Sequence, residues 1–250
     1  MKFKSARFLE MMPQLRGLFH YAQVLDSSND TAADLIASGS GSGTLVLAEY
    51  QTSGRGRGGN AWLCPADQGL LFSMVLEPDI DRSLWSRFSL VSALAVVRSL
   101  RKLGVMAEVK WPNDVWINRR KVAGILVEGC GEFLIVGIGI NVEVQDFPDG
   151  VEATSVVCEL GEQVSREALL SEVVRELLVL GSLAGPHFGM IVEEANQCSA
   201  LAGQRVRLQQ GDEWLEGTAV GVSQEGFLML HADDGVIHSI AQANTVRVVE

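Results

Sequence analysis

Two short stretches hold most of the residues able to do chemistry. The first, Gln51-Thr52-Ser53-Gly54-Arg55-Gly56-Arg57-Gly58-Gly59-Asn60, follows a predicted strand and sets four glycines in six positions around two arginines. Glycine removes the side chains that would hold a ligand away from free backbone N–H groups, and a guanidinium offers planar paired donors to phosphate or carboxylate oxygens. The chemistry of such a loop is anion binding. It is not a P-loop, because no Lys-Ser/Thr pair follows, and no GxGxxG fingerprint opens a helix here. Taken alone, the loop is equally open to two plainer readings, a flexible surface loop or an RGG-like nucleic-acid segment.

The second stretch is Lys110-Trp111-Pro112-Asn113-Asp114, with Lys121 seven residues after Asp114. Pro112 stiffens a turn and places Asn113 and Asp114 at its tip. If 115–118 and 122–128 pair as a hairpin, Lys121 opens the return strand and its ammonium comes back towards Lys110 and Asp114. Residues 98–121 hold seven basic and two acidic side chains, a balance of +5, whereas 143–196 hold two basic and eleven acidic, a balance of −9. For Arg98, Arg101, Lys102, Arg119 and Arg120 the charge run reads as a solvated helix end and turn. Lys110, Asp114 and Lys121 read as a site. A third stretch, Gly137-Ile138-Gly139-Ile140-Asn141-Val142, alternates glycine inside a strand. Glycine weakens a strand unless a ligand or a neighbouring chain lies against it, which would put Asn141 at a base or ribose edge; a glycine-softened edge strand fits equally well.

The elements that must position these residues follow from periodicity. Residues 19–25 and 44–50 read as strands flanking a helix that opens at Asp26-Ser27-Ser28-Asn29, whose short polar side chains can cap backbone N–H groups. Residues 70–76 form another strand, and 83–103 a long amphipathic helix ended by Gly104. Branched residues then mark a meander of strands at 105–110, 115–118, 122–128 and 133–142. Helical spacing returns at 165–180 and 186–197. After Gly203 come five brief strands, 205–209, 214–222, 227–231, 236–240 and 246–249, with glycine-bearing turns, which suggests a small barrel. The expected division is 1–198 and 199–250, an α+β domain with a mixed, largely antiparallel sheet backed by helices, followed by the barrel.

Composition narrows the function classes. With 250 residues, 47% hydrophobic and 20% charged, the chain is of ordinary globular type and can bury a core. Its net charge of −11 argues against a surface that grips duplex DNA, so basic work must be local. No apolar run approaches the roughly 18 residues of a membrane span, and Glu10, Pro13 and Arg16 interrupt any signal core. A cytoplasmic location is expected. Cys64, Cys130, Cys158 and Cys198 form no CxxC or Cys/His metal spacing and read as reduced.

The order of the motifs resembles the biotin-protein ligase family: Ser27-Ser28-Asn29, the Glu49 to Gly58 stretch with its Gly-Arg-Gly-Arg core, Lys110-Trp111-Pro112-Asn113-Asp114, Lys121-Val122-Ala123-Gly124-Ile125-Leu126-Val127-Glu128, and Gly137-Ile138-Gly139-Ile140-Asn141. The detailed match runs over about 20–145, and the expected barrel is similar to the family's SH3-like final domain. The resemblance implies a class II synthetase-like fold and a two-step reaction. Biotin and ATP form biotinyl-5'-adenylate, and a lysine of a biotin carboxyl carrier protein then displaces AMP. By the same resemblance, Ser27, Ser28, Gln51, Gly54, Arg55 and Lys121 would bind biotin. Arg55, Arg57, Trp62, Asn113, Asn141 and Arg247 would bind ATP and the adenylate. Lys121, Arg57, Asp114 and Lys110 would be catalytic, with Asp114 positioning Mg2+. A homodimer through the 137–142 edge is a further expectation. Only some twenty residues precede the first strand, whereas family members that also repress transcription carry an N-terminal helix-turn-helix domain, so a ligase without DNA binding is expected. Ser-Ser-Asn here replaces the family's usual Ser-Thr-Asn, keeping the hydroxyl and losing a methyl. Alternatives within the same fold are a lipoate ligase or octanoyltransferase, against which the Gly-Arg-Gly-Arg loop and Lys-Trp-Pro-Asn-Asp speak, and a non-catalytic biotin-sensing regulator.

Overall fold

A computed structural model describes residues 2–249. Seven strands form the main sheet in the order β1-β2-β3-β7-β6-β5-β4: β1 (Phe19–Leu25), β2 (Leu45–Gln51), β3 (Gly69–Leu76), β4 (Glu108–Lys110), β5 (Asp114–Ile117), β6 (Arg120–Cys130) and β7 (Phe133–Asn141). Only β1 and β2 run parallel, because α2 (Ser28–Ala37) carries the chain back between them; every other pair is antiparallel. The mixed, largely antiparallel α+β reading therefore holds.

α3 (Arg87–Lys102) buries Phe88, Val91, Leu94, Ala95 and Leu100, the helical spacing seen in the sequence. It starts later than expected. Asp81 accepts a hydrogen bond from the N–H of Ser83 (2.8 Å) and caps a separate short 3-10 turn (Arg82–Leu84) ahead of the helix. α5 (Arg166–Gly181), capped by Ser165, and α6 (Phe188–Gln197) complete the backing layer. Two short helices, α1 (Ser5–Met11) and α4 (Val156–Leu160), were not signalled by periodicity. α1 has no side-chain cap and is held by burial of Phe8 against Phe3 and Phe19, so its stability is tertiary.

The basic run at 98–121 and the acidic stretch at 143–196 lie against each other. Arg98 pairs with Glu176 and Glu194, Lys102 with Glu172 and Glu176, and Arg120 with Glu159. Those cations hold helices and a hairpin turn together, which leaves them out of the site. The remaining five strands, β8 (Arg205–Gln210), β9 (Glu213–Val222), β10 (Leu228–Ala232), β11 (Ile237–Ile240) and β12 (Thr245–Val248), form an antiparallel sheet in the order β11-β10-β9-β8-β12. Its buried Val206, Leu208, Leu228, Leu230 and Val246 are continuous with the core of the main sheet. Two bonds across the join fix its position beside the site: Trp111 Nε1 donates to Gly226 O (3.0 Å), and Asn196 Nδ2 donates to Val222 O (3.0 Å).

β7 is central, hydrogen-bonded to β3 on one side and β6 on the other, so 137–142 presents no edge through which a homodimer could form. The side chains of Ser27, Ser28 and Asn29 do not cap α2; Ser27 occupies the cap position without a side-chain bond, and the other two turn towards the sheet. Among the described residues, no helix is long and apolar enough to cross a membrane.

Candidate active site

β6 and β7 make the floor of a cleft, and the local fold of β6 decides what stands on it. Lys121 and Gly124 are three residues apart, so regular alternation would send them to opposite faces. The pairing of β5 with β6 slips by one residue: Trp116 is opposite Lys121, but Val115 is opposite Ala123 and Asp114 opposite Gly124. Val122 is the extra residue, and this bulge turns Lys121 onto the face that carries Asp114. The Lys121 main chain is pinned there, its N–H donating to Glu152 O and its carbonyl accepting from Thr154 N, both at 2.9 Å. Lys121 Nζ consequently lies 2.6 Å from Asp114 Oδ1, and Lys110 Nζ lies 3.6 Å from Asp114 Oδ2.

The glycines of β6 and β7 exist for the side chains above them. A Cβ on Gly139 would fall 2.4 Å from the Trp62 indole, and one on Gly124 2.9 Å from it. A Cβ on Gly137 would fall 2.3 Å from Asn29 Oδ1. The alternating glycines thus seat two side chains of this same chain, and neither a partner chain nor an edge is needed to account for them. The indole packs flat on the sheet with Lys121 Nζ 5.4 Å from its ring centre, a cation–π distance. Replacing Gly139 with alanine is expected to drive Trp62 off this platform at about 1–3 kcal/mol of overpacking. A changed tryptophan fluorescence spectrum and a lower urea midpoint would record it.

The 54–62 loop is a small hairpin. Trp62 N donates to Gly54 O (2.8 Å), Gly56 N donates to Asn60 O (2.7 Å), and Arg55 bridges Ala61. Gly54 is buried beneath the hairpin, where a Cβ would meet Trp62 O at 2.4 Å. From this hairpin the Arg57 guanidinium donates to Ala243 O at 2.9 Å, reaching the barrel segment that forms the cleft's rim. Among the described residues Arg57 makes no ion pair; burial lowers its pKa and the nearby Asp114 opposes that. Arg55 differs: its Nη2 meets Asp30 Oδ1 at 2.7 Å and Glu128 Oε2 at 2.9 Å.

The enclosed space is about 240 Å³. Towards β3 its lining is uncharged and polar. There Gln51 Oε1 accepts from Ser28 N (2.6 Å), which leaves the Gln51 amide nitrogen as a donor. The Ser73 hydroxyl is 2.7 Å from Ser28 Oγ and 2.5 Å from Asn29 Oδ1. It has one hydrogen, so it donates to the Asn29 carbonyl oxygen and accepts from Ser28. Towards β5 the lining is cationic, with Arg57, Lys110 and Lys121 around one carboxylate, Asp114. Burial pushes the Lys110 ammonium below its ordinary range; Asp114 opposes this, while Lys121 and Arg57 add to it. A buried cation crowded by two others is a site waiting for an anion.

Ser27, Ser28, Gln51, Arg55, Arg57, Trp62, Lys110, Asn113, Asp114 and Lys121 all line this one cleft. Asn113 does so with its amide committed, donating to Ile125 O at 2.9 Å. Three expected residues do not line it: Gly54 is buried beneath the hairpin and serves its close packing against Trp62 O, and the other two point elsewhere. Asn141 is buried and donates to Thr154 O (3.1 Å), so it ties β7 to the segment behind Lys121. Arg247 lies on the exposed face of β12 opposite Arg207, and its neighbours 243–246 reach the cleft instead. Asp114 does not fit as a Mg2+ ligand in this arrangement, since its oxygens face the Lys121 and Lys110 ammonium groups. Cys64 is buried with its thiol pushed up to about 12, which suits packing and not reactivity. Sequence reasoning gave Asn29, Ser73 and Glu128 no part in the cleft. The only signal was the place of Asn29 and Glu128 within motifs.

Comparison with known proteins agrees with this arrangement. Residues 21–145 match the biotin/lipoate A/B protein ligase family, and residues 202–243 match the biotin protein ligase C terminal domain. Over 221 residues the chain is 33% identical to the biotin--[acetyl-CoA-carboxylase] ligase of Mycobacterium tuberculosis, covering 83% of this chain and 82% of that protein. It is also 33% identical over 233 residues to the bifunctional ligase/repressor BirA of Bacillus subtilis, covering 86% of this chain and 70% of that one. The structure of the biotin protein ligase from Aquifex aeolicus in complex with biotin and ATP aligns with a TM-score of 0.83 at 29% identity, over 92% of this chain and 99% of that one. With both segments matched in order and the motif residues gathered in one cleft, the chain belongs to the biotin/lipoate A/B protein ligase family.

Proposed function

We propose that this protein is an ATP-dependent biotin-protein ligase that forms biotinyl-5'-adenylate and transfers biotin to a lysine of a biotin carboxyl carrier protein. The observation that carries this reading is the polarity of the cleft: an uncharged hydrogen-bonding end at Ser27, Ser28 and Gln51, and a cationic end at Arg57, Lys110 and Lys121, with Trp62 between them. That sequence of surfaces complements a ureido ring, an apolar chain and an acyl phosphate in turn.

In the first step a biotin carboxylate oxygen attacks the α-phosphorus of ATP, the bond to the β-phosphate oxygen breaks, and pyrophosphate leaves. Negative charge spreads over the α-phosphoryl oxygens. Lys121 and Lys110, with Arg57 facing them, are preorganised to stabilise it. Asp114 holds the two ammonium groups apart and aimed into the cleft, the role we assign it in place of metal binding. Mg2+ enters with the nucleotide as MgATP, since triphosphate oxygens supply most of the ligands such an ion needs. In the second step the carrier lysine amine attacks the acyl carbon, AMP leaves with the bonding electrons, and the amine loses a proton. No covalent enzyme intermediate arises.

The test is to mix the purified protein with biotin, MgATP and a biotin carboxyl carrier domain. Carrier biotinylation is expected, and octanoyl or lipoyl transfer without biotin binding would overturn the assignment. The position of Lys110 adds a prediction. Its folded-state pKa is lowered, so its charge costs stability at neutral pH, and the cost is relieved as pH rises through that lowered value. An anionic ligand reverses the shift. Adenylate binding at alkaline pH, below the ordinary lysine range, should therefore take up a proton. Calorimetry in two buffers of different ionisation enthalpy would measure this, and Lys110→Met should abolish it.

A further inference from the structure

Glu128 is a motif residue that the reaction does not use. It lies on β6 opposite Ile135, two and four residues beyond Leu126 and Gly124, and so on the same face as the cleft floor. One of its oxygens, Oε2, accepts from two parts of the chain at once: Asn29 Nδ2 at 2.6 Å and Arg55 Nη2 at 2.9 Å. Arg55 also grips Asp30 Oδ1, the residue after Asn29 at the start of α2. Asn29 in turn rests on the bare backbone of Gly137 and accepts from Ser73, which bonds Ser28. A continuous polar chain therefore runs from the lip of the 54–62 hairpin to the uncharged end of the cleft.

We propose that Glu128 is a positioning residue that latches this hairpin over the cleft through Arg55, and that release of this latch sets how long the small-molecule substrate and its adenylate are held. The second half rests on the ligase reading above. The magnitudes favour a latch over a permanent strut. The side chains of Arg55, Asp30 and Glu128 are 45%, 53% and 37% exposed, so water competes for both Arg55 bonds and the closed state is only modestly favoured. A lid that must admit biotin and pass the acyl group to a protein lysine requires that weakness. The same arrangement couples the lid to the bound ligand, because the Asn29 amide that Glu128 orients stands next to Ser28.

The experiment compares Glu128→Gln and Glu128→Ala with the wild type. In ligand-free protein, amide hydrogen exchange at 53–61 should rise about fivefold in Glu128→Ala and less in Glu128→Gln, which keeps an acceptor but loses the charge. Exchange in β3 and β7 should stay unchanged. Raising the salt concentration should speed wild-type exchange, and Glu128→Ala, left with the Arg55–Asp30 pair alone, should respond less, a difference that a packing role would not give. Biotin dissociation should quicken by a similar factor, while the rate of adenylate formation at saturating substrates is retained. Unchanged exchange at 53–61 in both variants would overturn the latch whether or not biotin binds. Failure of the wild type to bind biotin would instead sink the ligase reading.

Discussion

Replacing Lys121 with alanine is expected to slow biotinyl-adenylate formation by about 10²–10³-fold, the usual loss when one preorganised charge stabiliser is removed from a transition state. The fold should survive. The Lys121 side chain is about one third exposed, and Asp114 keeps Lys110 as a counter-ion, so the stability cost is about 1 kcal/mol. In a chain of this length that is a melting shift of about 2–4 °C. On the proposed reading, in which Ser27, Ser28 and Gln51 take the ureido end, biotin binding should weaken much less than catalysis. Lys121→Arg separates charge from geometry. A guanidinium keeps the charge but presents a wide fork where a compact ammonium fits between Asp114 and the indole, so rescue should be partial. Single-turnover formation of adenylate, followed by quenched sampling, is the direct measurement. A Lys121→Ala enzyme turning over at the wild-type rate would remove Lys121 from the chemistry.

Lys121 also shows how far the sequence can be read. Its return towards Asp114 is legible from the hairpin signals around Asn118 and Arg119, both of which adopt positive φ in the turn. The bulge at Val122, which decides the face on which Lys121 emerges, leaves no mark in composition, because Val122 and Ala123 are ordinary buried strand residues. The glycines of β7 tell a similar story. Their alternation signals that something presses on the strand, but the pressing groups are Trp62 and Asn29, distant in sequence and brought there by the hairpin and by α2. Without that pairing, a central strand and a softened edge look alike. Arg247 and Asn141 were misplaced for different reasons: Arg247 is one residue from Val246, which reaches the cleft's rim, and the period of two sends its side chain to the other face, whereas Asn141 shares the face of Gly137 and Gly139 but lies beyond the cleft, where its amide bonds Thr154 O. Charge was the most transferable signal. Of the five cations expected to be structural, Arg98, Lys102 and Arg120 found carboxylates in the acidic 143–196 stretch, whereas the three crowded into the cleft share only Asp114.

Arg57 supports the second large prediction, because it lines the cleft and also ties the 54–62 hairpin to Ala243 O. Arg57→Gly removes a cation from the phosphate end, cuts the bond from the hairpin to Ala243 O, and adds a flexible residue beside Gly56 and Gly58. A hydrogen bond from a charged donor is worth about 1.5–3 kcal/mol, so the adenylate should leave the enzyme about ten- to a hundred-fold faster. The mixed anhydride is reactive in free solution, and lysines of any protein present would compete for it. The expected result is biotin on a bystander protein that the wild-type enzyme leaves untouched, with adenylate synthesis reduced less than its retention. Arg57→Ala tests whether the loss comes from the guanidinium or from added backbone freedom; if the tie to the barrel is what matters, alanine leaks nearly as fast as glycine. Arg57→Lys should restore part of the retention, since an ammonium can bond one carbonyl but cannot also span towards the phosphate. The half-life of enzyme-bound adenylate, measured after rapid gel filtration, ranks the three variants. An adenylate retained as long by Arg57→Gly as by the wild type would mean that the barrel contact at Ala243 plays no part in holding the hairpin closed.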